Sequence, residues 1–153
     1  MTTGQNLWVA DWLWSLPLIA FCVAIHVVGL ALINDRVVRF LHKAIDDRHF
    51  VRLFAVVIGA VALLATALHG VEASLWALAY WLLDALPDFR SAMLYSLSAM
   101  TTYGHSNISL EPQWQFMGAL ESLCGMLLFG LTTAFLFAAI QKVWPLGSRD
   151  RRP

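Results

Sequence analysis

Three long apolar runs constrain the fold more than any other feature of the sequence. They cover residues 13–33, a run that starts at Phe50 and continues to about Leu83, and residues 114–143. About 20 apolar residues at 1.5 Å each are enough to cross a hydrocarbon core of about 30 Å. Hydrophobic residues make up 59% of the 153 residues and charged residues only 13%, which exceeds what a soluble domain of this size can bury. The sequence therefore predicts an all-α membrane protein with three transmembrane helices.

The segments between and after these runs divide the chain into three parts. Residues 34–49 alternate charged and apolar residues at helical spacing and predict an amphipathic linker helix along the membrane interface, so that 1–49 form an N-terminal unit. Residues 50–143 form the second part, in which the long second run must tilt, bend near Gly70 or project beyond the bilayer. Residues 144–153 are polar and predict a disordered cytoplasmic tail.

The basic residues predict how the chain sits in its membrane. Five of the ten lie within residues 36–52 and four within 142–152, whereas the N-terminal dozen residues have none. Because cytoplasmic loops are enriched in Lys and Arg, the linker and the C-terminus are expected in the cytoplasm and the N-terminus outside, in the cell (inner) membrane. The charges sum to zero, so no nucleic acid is expected as a partner. The apolar runs make the lipid bilayer the expected partner. Cys22 and Cys124 lie in apolar runs and suit small buried residues better than a disulfide or a metal pair.

A polar stretch, "SAMTTYGHSNI" at 98–108, interrupts the apolar sequence between the second and third runs. Residues 84–113 must leave the membrane and return on the same side. Within them, "FRSAMLYSLSAM" at 89–100 predicts a helix that follows a start signal at Pro87-Asp88 and is too short to span. A short helix, a polar glycine-containing strand and a full span together are the pattern of a re-entrant pore loop.

At these residues the chain resembles the pore module of the potassium-channel superfamily, and more narrowly small bacterial channels with a two-helix pore domain. Residues 85–102 resemble the family's pore helix and paired threonines, and residues 114–141 resemble its inner helix. The resemblance covers roughly residues 51–142, which makes 50–143 a pore domain of outer helix, pore helix, filter and inner helix. It implies a homotetramer with a central pore that conducts potassium or another cation passively, without catalysis and without a cofactor.

The resemblance also implies roles for individual residues. A selectivity filter is expected at Thr102, Tyr103, Gly104, His105 and Ser106, with a monovalent cation held at Thr102, Tyr103 and Gly104 and with Thr101 and Asn107 supporting the filter. His105, Ser106 and Asn107 stand where the family has tyrosine, its second glycine and aspartate. These departures favour a less selective cation filter, or one for another cation. Thr102 could alternatively cap the pore helix, and His105 could be a neutral packing residue or titrate near neutral pH.

Ionisable residues within the apolar runs are costly and mark a second group of candidates. His69 and Glu72 share a helix face and could support the back of the filter, bind a metal or form a structural pair. Glu121 could lie in the outer vestibule or pair with a polar group near the pore. His26 could be a packing residue or a ligand.

Small and hydroxyl residues on the third run complete the candidates. Gly125 and Gly130 could be hinges of the inner helix or could permit close helix packing. At least one of Thr132 and Thr133 is expected to face the cavity, the other option being a bond to its own helix. Two further functions remain open: a haem-binding electron carrier with His26 and His69 as ligands, and a non-conducting channel-like subunit that regulates a partner.

Overall fold

In a computed structural model, which describes residues 2–44, 50–104 and 107–148, the chain forms helices and no strand. The helices are α1 (Thr2–Ala44), α2 (Phe50–Leu82), α3 (Phe89–Met100) and α4 (Gln115–Ser148), with one 3₁₀ turn (Pro112–Trp114) before α4. Three segments are long and apolar enough to cross a membrane: Asp11–Val37, Val51–Leu82 and Pro112–Gln141. The prediction of an all-helical, multi-pass membrane protein with three such helices is confirmed.

The N-terminal helix is longer than the sequence pattern predicts. Residues 34–44 are helical, as expected for the linker, but they continue α1 without a break from the first apolar run to Ala44; residues 45–49 lie outside the described part. No glycine or proline interrupts residues 34–44, and an Asp35–Arg39 ion pair one turn apart supports the helix there. Pro17 lies well inside α1, which begins at Thr2.

The other two long helices are also uninterrupted. α2 does not end at Gly70, so its 33 residues form one continuous helix, about 50 Å long at 1.5 Å per residue. α4 extends through Trp144 to Ser148, so the disorder expected from residue 144 onward is wrong for its first five residues; residues 149–153 lie outside the described part.

The core lies where α1, α2 and α4 pack together and where α3 is inserted between α2 and α4. Trp76 and Tyr80 from α2 and Met117 and Leu128 from α4 are fully buried there. Few residues of the three candidate spans are buried within the chain, so much of their apolar surface faces outward. Such a surface is stable only against lipid or other protein chains.

Candidate functional site

The short helix α3 begins at a strong capping residue. The Asp88 carboxylate accepts hydrogen bonds from the Ser91 hydroxyl at 2.7 Å and from the Ser91 backbone N–H at 2.9 Å. These bonds satisfy one of the free amides in the first turn, and they lower the pKa of the Asp88 carboxyl from its ordinary value. The start signal in the sequence at Pro87-Asp88 therefore positions α3 as expected.

The end of α3 is closed by the backbone of the polar stretch. The Tyr103 N–H donates to the Ser98 carbonyl at 3.0 Å and the Thr102 N–H donates to the Ala99 carbonyl at 3.1 Å. This pair of bonds is a Schellman motif, whose left-handed position is usually glycine. Here Thr102 occupies it with φ 56°, and Gly104 follows with φ 65°. The backbone of Thr102 therefore caps the helix, one of the two roles expected of this residue.

The left-handed threonine leads to a prediction about stability. A β-branched residue in this conformation is strained by about 1–2 kcal/mol, which glycine avoids. We expect Thr102→Gly to stabilise the protein by about 1 kcal/mol, measured as its unfolding free energy in detergent micelles. Gly104→Ala is the matched opposite: no atom lies within 4 Å of the added Cβ, so only backbone strain changes, and we expect a loss of about 1 kcal/mol. Equal effects of the two variants on the unfolding free energy would contradict the backbone strain assigned to Thr102.

The residues expected to form the filter lie on the surface of the single chain. The exposed residues are Thr101, Thr102, Tyr103 and Gly104, and also Asn107 later in the same loop. His105 and Ser106 lie outside the described residues. A cavity of about 410 Å³ separates this loop from α4 and is lined largely by small and hydroxyl residues, including Ser98, Thr102, Gly104, Ser109 and Ser122.

Two glycines of α4 let α3 approach it closely. A Cβ on Gly125 would lie 2.5 Å from the carbonyl oxygen of Met100 and 2.7 Å from its Cα, at the last residue of α3. A Cβ on Gly118 would meet the Tyr95 hydroxyl at 2.1 Å, whereas one on Gly130 would meet nothing within 4 Å. Of the two roles expected for Gly125, the structure shows close helix packing. Gly130 lies at an open position.

Glu121 is the buried hydrogen-bond acceptor that connects α4 to both neighbouring helices. The Tyr80 hydroxyl of α2 donates to Glu121 Oε2 at 2.8 Å, and the Ser96 hydroxyl of α3 contacts Oε1. Ser96 also lies 2.8 Å from the Ala73 carbonyl of α2. All three side chains are fully buried. Of the two expectations for Glu121, the structure supports pairing with polar groups near the short helix and gives no exposed vestibule charge.

A second buried group of polar side chains, here called the histidine cluster, consists of His26, His69, Glu72 and Thr132. His26 Nδ1 lies 2.8 Å from Glu72 Oε1, and His69 Nδ1 lies 3.2 Å from Glu72 Oε2. On the opposite side, the Thr132 hydroxyl lies 3.0 Å from His26 Nε2 and 3.1 Å from His69 Nε2. The four side chains form a closed ring that joins α1, α2 and α4.

The histidine cluster changes several expectations. The described partners of His69 and Glu72 are His26 and Thr132, so these two residues act within the bundle and are not brought to the loop at Thr101–Gly104. Thr132 is buried in the cluster, while Thr133 is exposed and donates to the Phe129 carbonyl of its own helix at 2.8 Å.

Sequence reasoning missed that His26 and Thr132 complete the cluster. Helical spacing could have indicated their buried positions. Cys22 and His26 are one turn apart on α1, and Leu128 and Thr132 are one turn apart on α4. All four residues are buried. Both cysteines are buried, as expected. Comparisons of the chain with protein-family models, with curated proteins and with solved structures find no match.

Proposed function

We propose that this protein is a homotetrameric pore-loop cation channel in which α3 and the following loop re-enter the membrane. The observation that carries the proposal is the segment between α2 and α4. Its helix has 12 residues, about 18 Å at 1.5 Å per residue, which is too short to span, and it is packed between two full-length apolar helices. Irregular backbone at membrane depth is tolerated where it lines a water-filled cavity.

The conformation of the loop supports the same proposal. Thr101 to Gly104 are exposed, and two of these residues have positive φ. Successive changes of backbone handedness turn neighbouring carbonyl groups toward one side, the arrangement by which a ring of carbonyls can replace the hydration shell of an ion. One chain contributes one loop, so a complete ring requires several copies around an axis, and the resemblance implies four.

The direction of α3 favours cations over anions. Its C-terminal end, at Met100, leads directly into the loop, and the partial negative charge of a helix C-terminus attracts positive ions. The distribution of Lys and Arg supports a cytoplasmic C-terminus and an external loop in the cell (inner) membrane. Because His105 and Ser106 depart from the potassium-selective pattern, the proposed permeant ion is potassium or another cation, with loose selectivity.

The histidine cluster favours the channel over a haem carrier. To bind one haem, His26 and His69 would each have to place a ring nitrogen on the iron, from opposite faces of the porphyrin. Here both Nε2 atoms contact the same Thr132 hydroxyl, and the ring centroids are 5.0 Å apart. Purified protein is therefore expected to show no Soret absorption band.

Reconstitution into liposomes tests the proposed function. We expect the purified protein to carry potassium, sodium and rubidium ions down their gradients, and to exclude chloride. Thr102→Val removes the hydroxyl at constant shape and should change the ratio of cation permeabilities. Thr66→Val is the matched control, because Thr66 is exposed on α2 and its hydroxyl donates only to the Ala62 carbonyl one turn away. Well-incorporated protein that passes no cation over a range of pH and voltage would rule out the channel.

A further inference from the structure

The histidine cluster contains two buried atoms that face each other without a hydrogen bond. Glu72 Oε2 and His69 Nδ1 are 3.2 Å apart, and neither has a hydrogen-bond partner among the described residues. The Glu72 side chain is completely buried, with an accessible fraction of 0%. Buried polar atoms are nearly always satisfied, so such a pair needs an explanation.

Counting protons around the ring explains the unmatched pair. An ionised Glu72 can only accept, so His26 donates from Nδ1 and its Nε2 accepts from the Thr132 hydroxyl. The Thr132 oxygen in turn accepts from His69 Nε2, which leaves Nδ1 of a neutral His69 without a proton. The ring therefore has three protons for four contacts. In the fourth contact, between His69 and Glu72, a nitrogen lone pair faces a carboxylate oxygen. Two Lewis bases at this distance form a site for a cation.

The ligand atoms suit a divalent transition-metal ion. One ligand atom from each of His26, His69 and Glu72 lies within 4.8 Å of the other two. A tetrahedral zinc ion with bonds of about 2.0–2.1 Å needs its ligand atoms roughly 3.3 Å apart, close to the 2.8 Å and 3.2 Å separations of the two histidine Nδ1 atoms from Glu72. Two imidazoles and one carboxylate are ligands that zinc accepts.

Thr132 fits the support that metal-binding histidines require. A histidine that binds a metal through one nitrogen donates the N–H of the other to a nearby acceptor, which fixes its tautomer and orientation. In the metal-bound form His26 carries its proton on Nε2 instead of Nδ1, so that both Nδ1 atoms are free to bind the ion and both Nε2–H groups donate to the Thr132 oxygen, which has two lone pairs. The cluster reaches the surface at His69, whose side chain is 12% exposed and is stacked on the Phe129 ring.

We propose that His26, His69 and Glu72 form a binding site for a zinc-like divalent cation that joins α1 to α2 inside the membrane, with Thr132 of α4 orienting both imidazoles. This site is separate from the loop after α3 and does not depend on conduction. Each ligand is placed on a long helix, so the bound ion would hold the bundle together from within.

Zinc binding by the full-length protein in detergent micelles tests the proposal. After removal of metal with a chelator and addition of Zn²⁺, we expect one zinc per chain to survive desalting. We expect Co²⁺ to give the visible bands of a four-coordinate site made by the three side chains and one water molecule. His26→Ala and His69→Ala should each weaken binding at least tenfold. Thr132→Val should weaken it ten- to a hundredfold without removing a ligand, and Thr132→Ser should restore it.

The control is a chain that keeps the cluster but lacks the other three histidines, made by His42→Ala, His49→Ala and His105→Ala together. This variant should retain one zinc per chain with unchanged affinity. Failure of that variant to bind zinc would overturn the proposal even if the cluster variants do not fold. Equal zinc binding by the wild type and by His69→Ala, or a site filled by a proton alone with no zinc retained, would overturn it as well.

Discussion

Gly125→Ala is expected to separate α3 from α4 and, on the proposed channel function, to abolish cation flux in liposomes. The added Cβ would lie 2.5 Å and 2.7 Å from backbone atoms of Met100, which cannot rotate away as the end of a side chain can. The end of α3 must shift, and the loop that begins at Thr101 shifts with it. Overpacking of this kind costs about 1–3 kcal/mol of unfolding free energy, which is at least as large as the gain of about 1 kcal/mol from replacing glycine in a helix.

Gly130→Ala is the matched control for this prediction. Gly130 lies on the same helix, but an added Cβ meets no atom within 4 Å. Only the helix propensity changes, so we expect unchanged or slightly higher stability and normal flux. Gly118→Ala should fall between the two, because its clash is with the end of the Tyr95 side chain and not with backbone. If Gly125→Ala were as stable and active as Gly130→Ala, close contact between α3 and α4 would not be needed for function.

The three long helices could be predicted from the sequence because their signal is local. Each apolar run carries its own length and composition, and the Pro87-Asp88 start of α3 is encoded in neighbouring residues. Helix ends were less predictable: α1 continues to Ala44, since nothing in residues 34–44 stops a helix that an ion pair supports. A polar segment after an apolar run therefore marks where the environment changes and need not mark where the helix ends.

The candidate site was predictable only in part, because its contacts join distant positions. His26 and Glu72 are 46 residues apart, and His26 and Thr132 are 106 apart, so no local pattern brings them together. The spacing of His69 and Glu72 on one helix face was visible, whereas their partners depend on the rotation of α1 and α4 about their axes. The glycines of α4 present the same difficulty, since only the packed helices show which glycine faces α3.

Glu121→Ala is expected to lower the unfolding free energy by about 3 kcal/mol and, on the proposed channel function, to reduce cation flux strongly. The change leaves the fully buried Tyr80 hydroxyl without its acceptor, which costs about 1–3 kcal/mol, and it leaves a cavity between three helices. Ser96 loses one contact but stays close to the Ala73 carbonyl. The loss is therefore expected to come chiefly from Tyr80 and from the cavity.

A double-mutant cycle identifies the source of that loss. Tyr80→Phe removes the hydroxyl that Glu121→Ala would leave unpaired, so the double variant should lose less stability than the sum of the two single changes, by at least about 1 kcal/mol. Ser122→Ala is the control on the same helix, because its hydroxyl donates only to the Gly118 carbonyl of α4, and it should be nearly neutral. Strict additivity in the cycle would contradict a direct bond between Tyr80 and Glu121. Since that bond joins α2 to the helix that positions α3, additivity would also remove the reason to expect that Glu121 supports the loop.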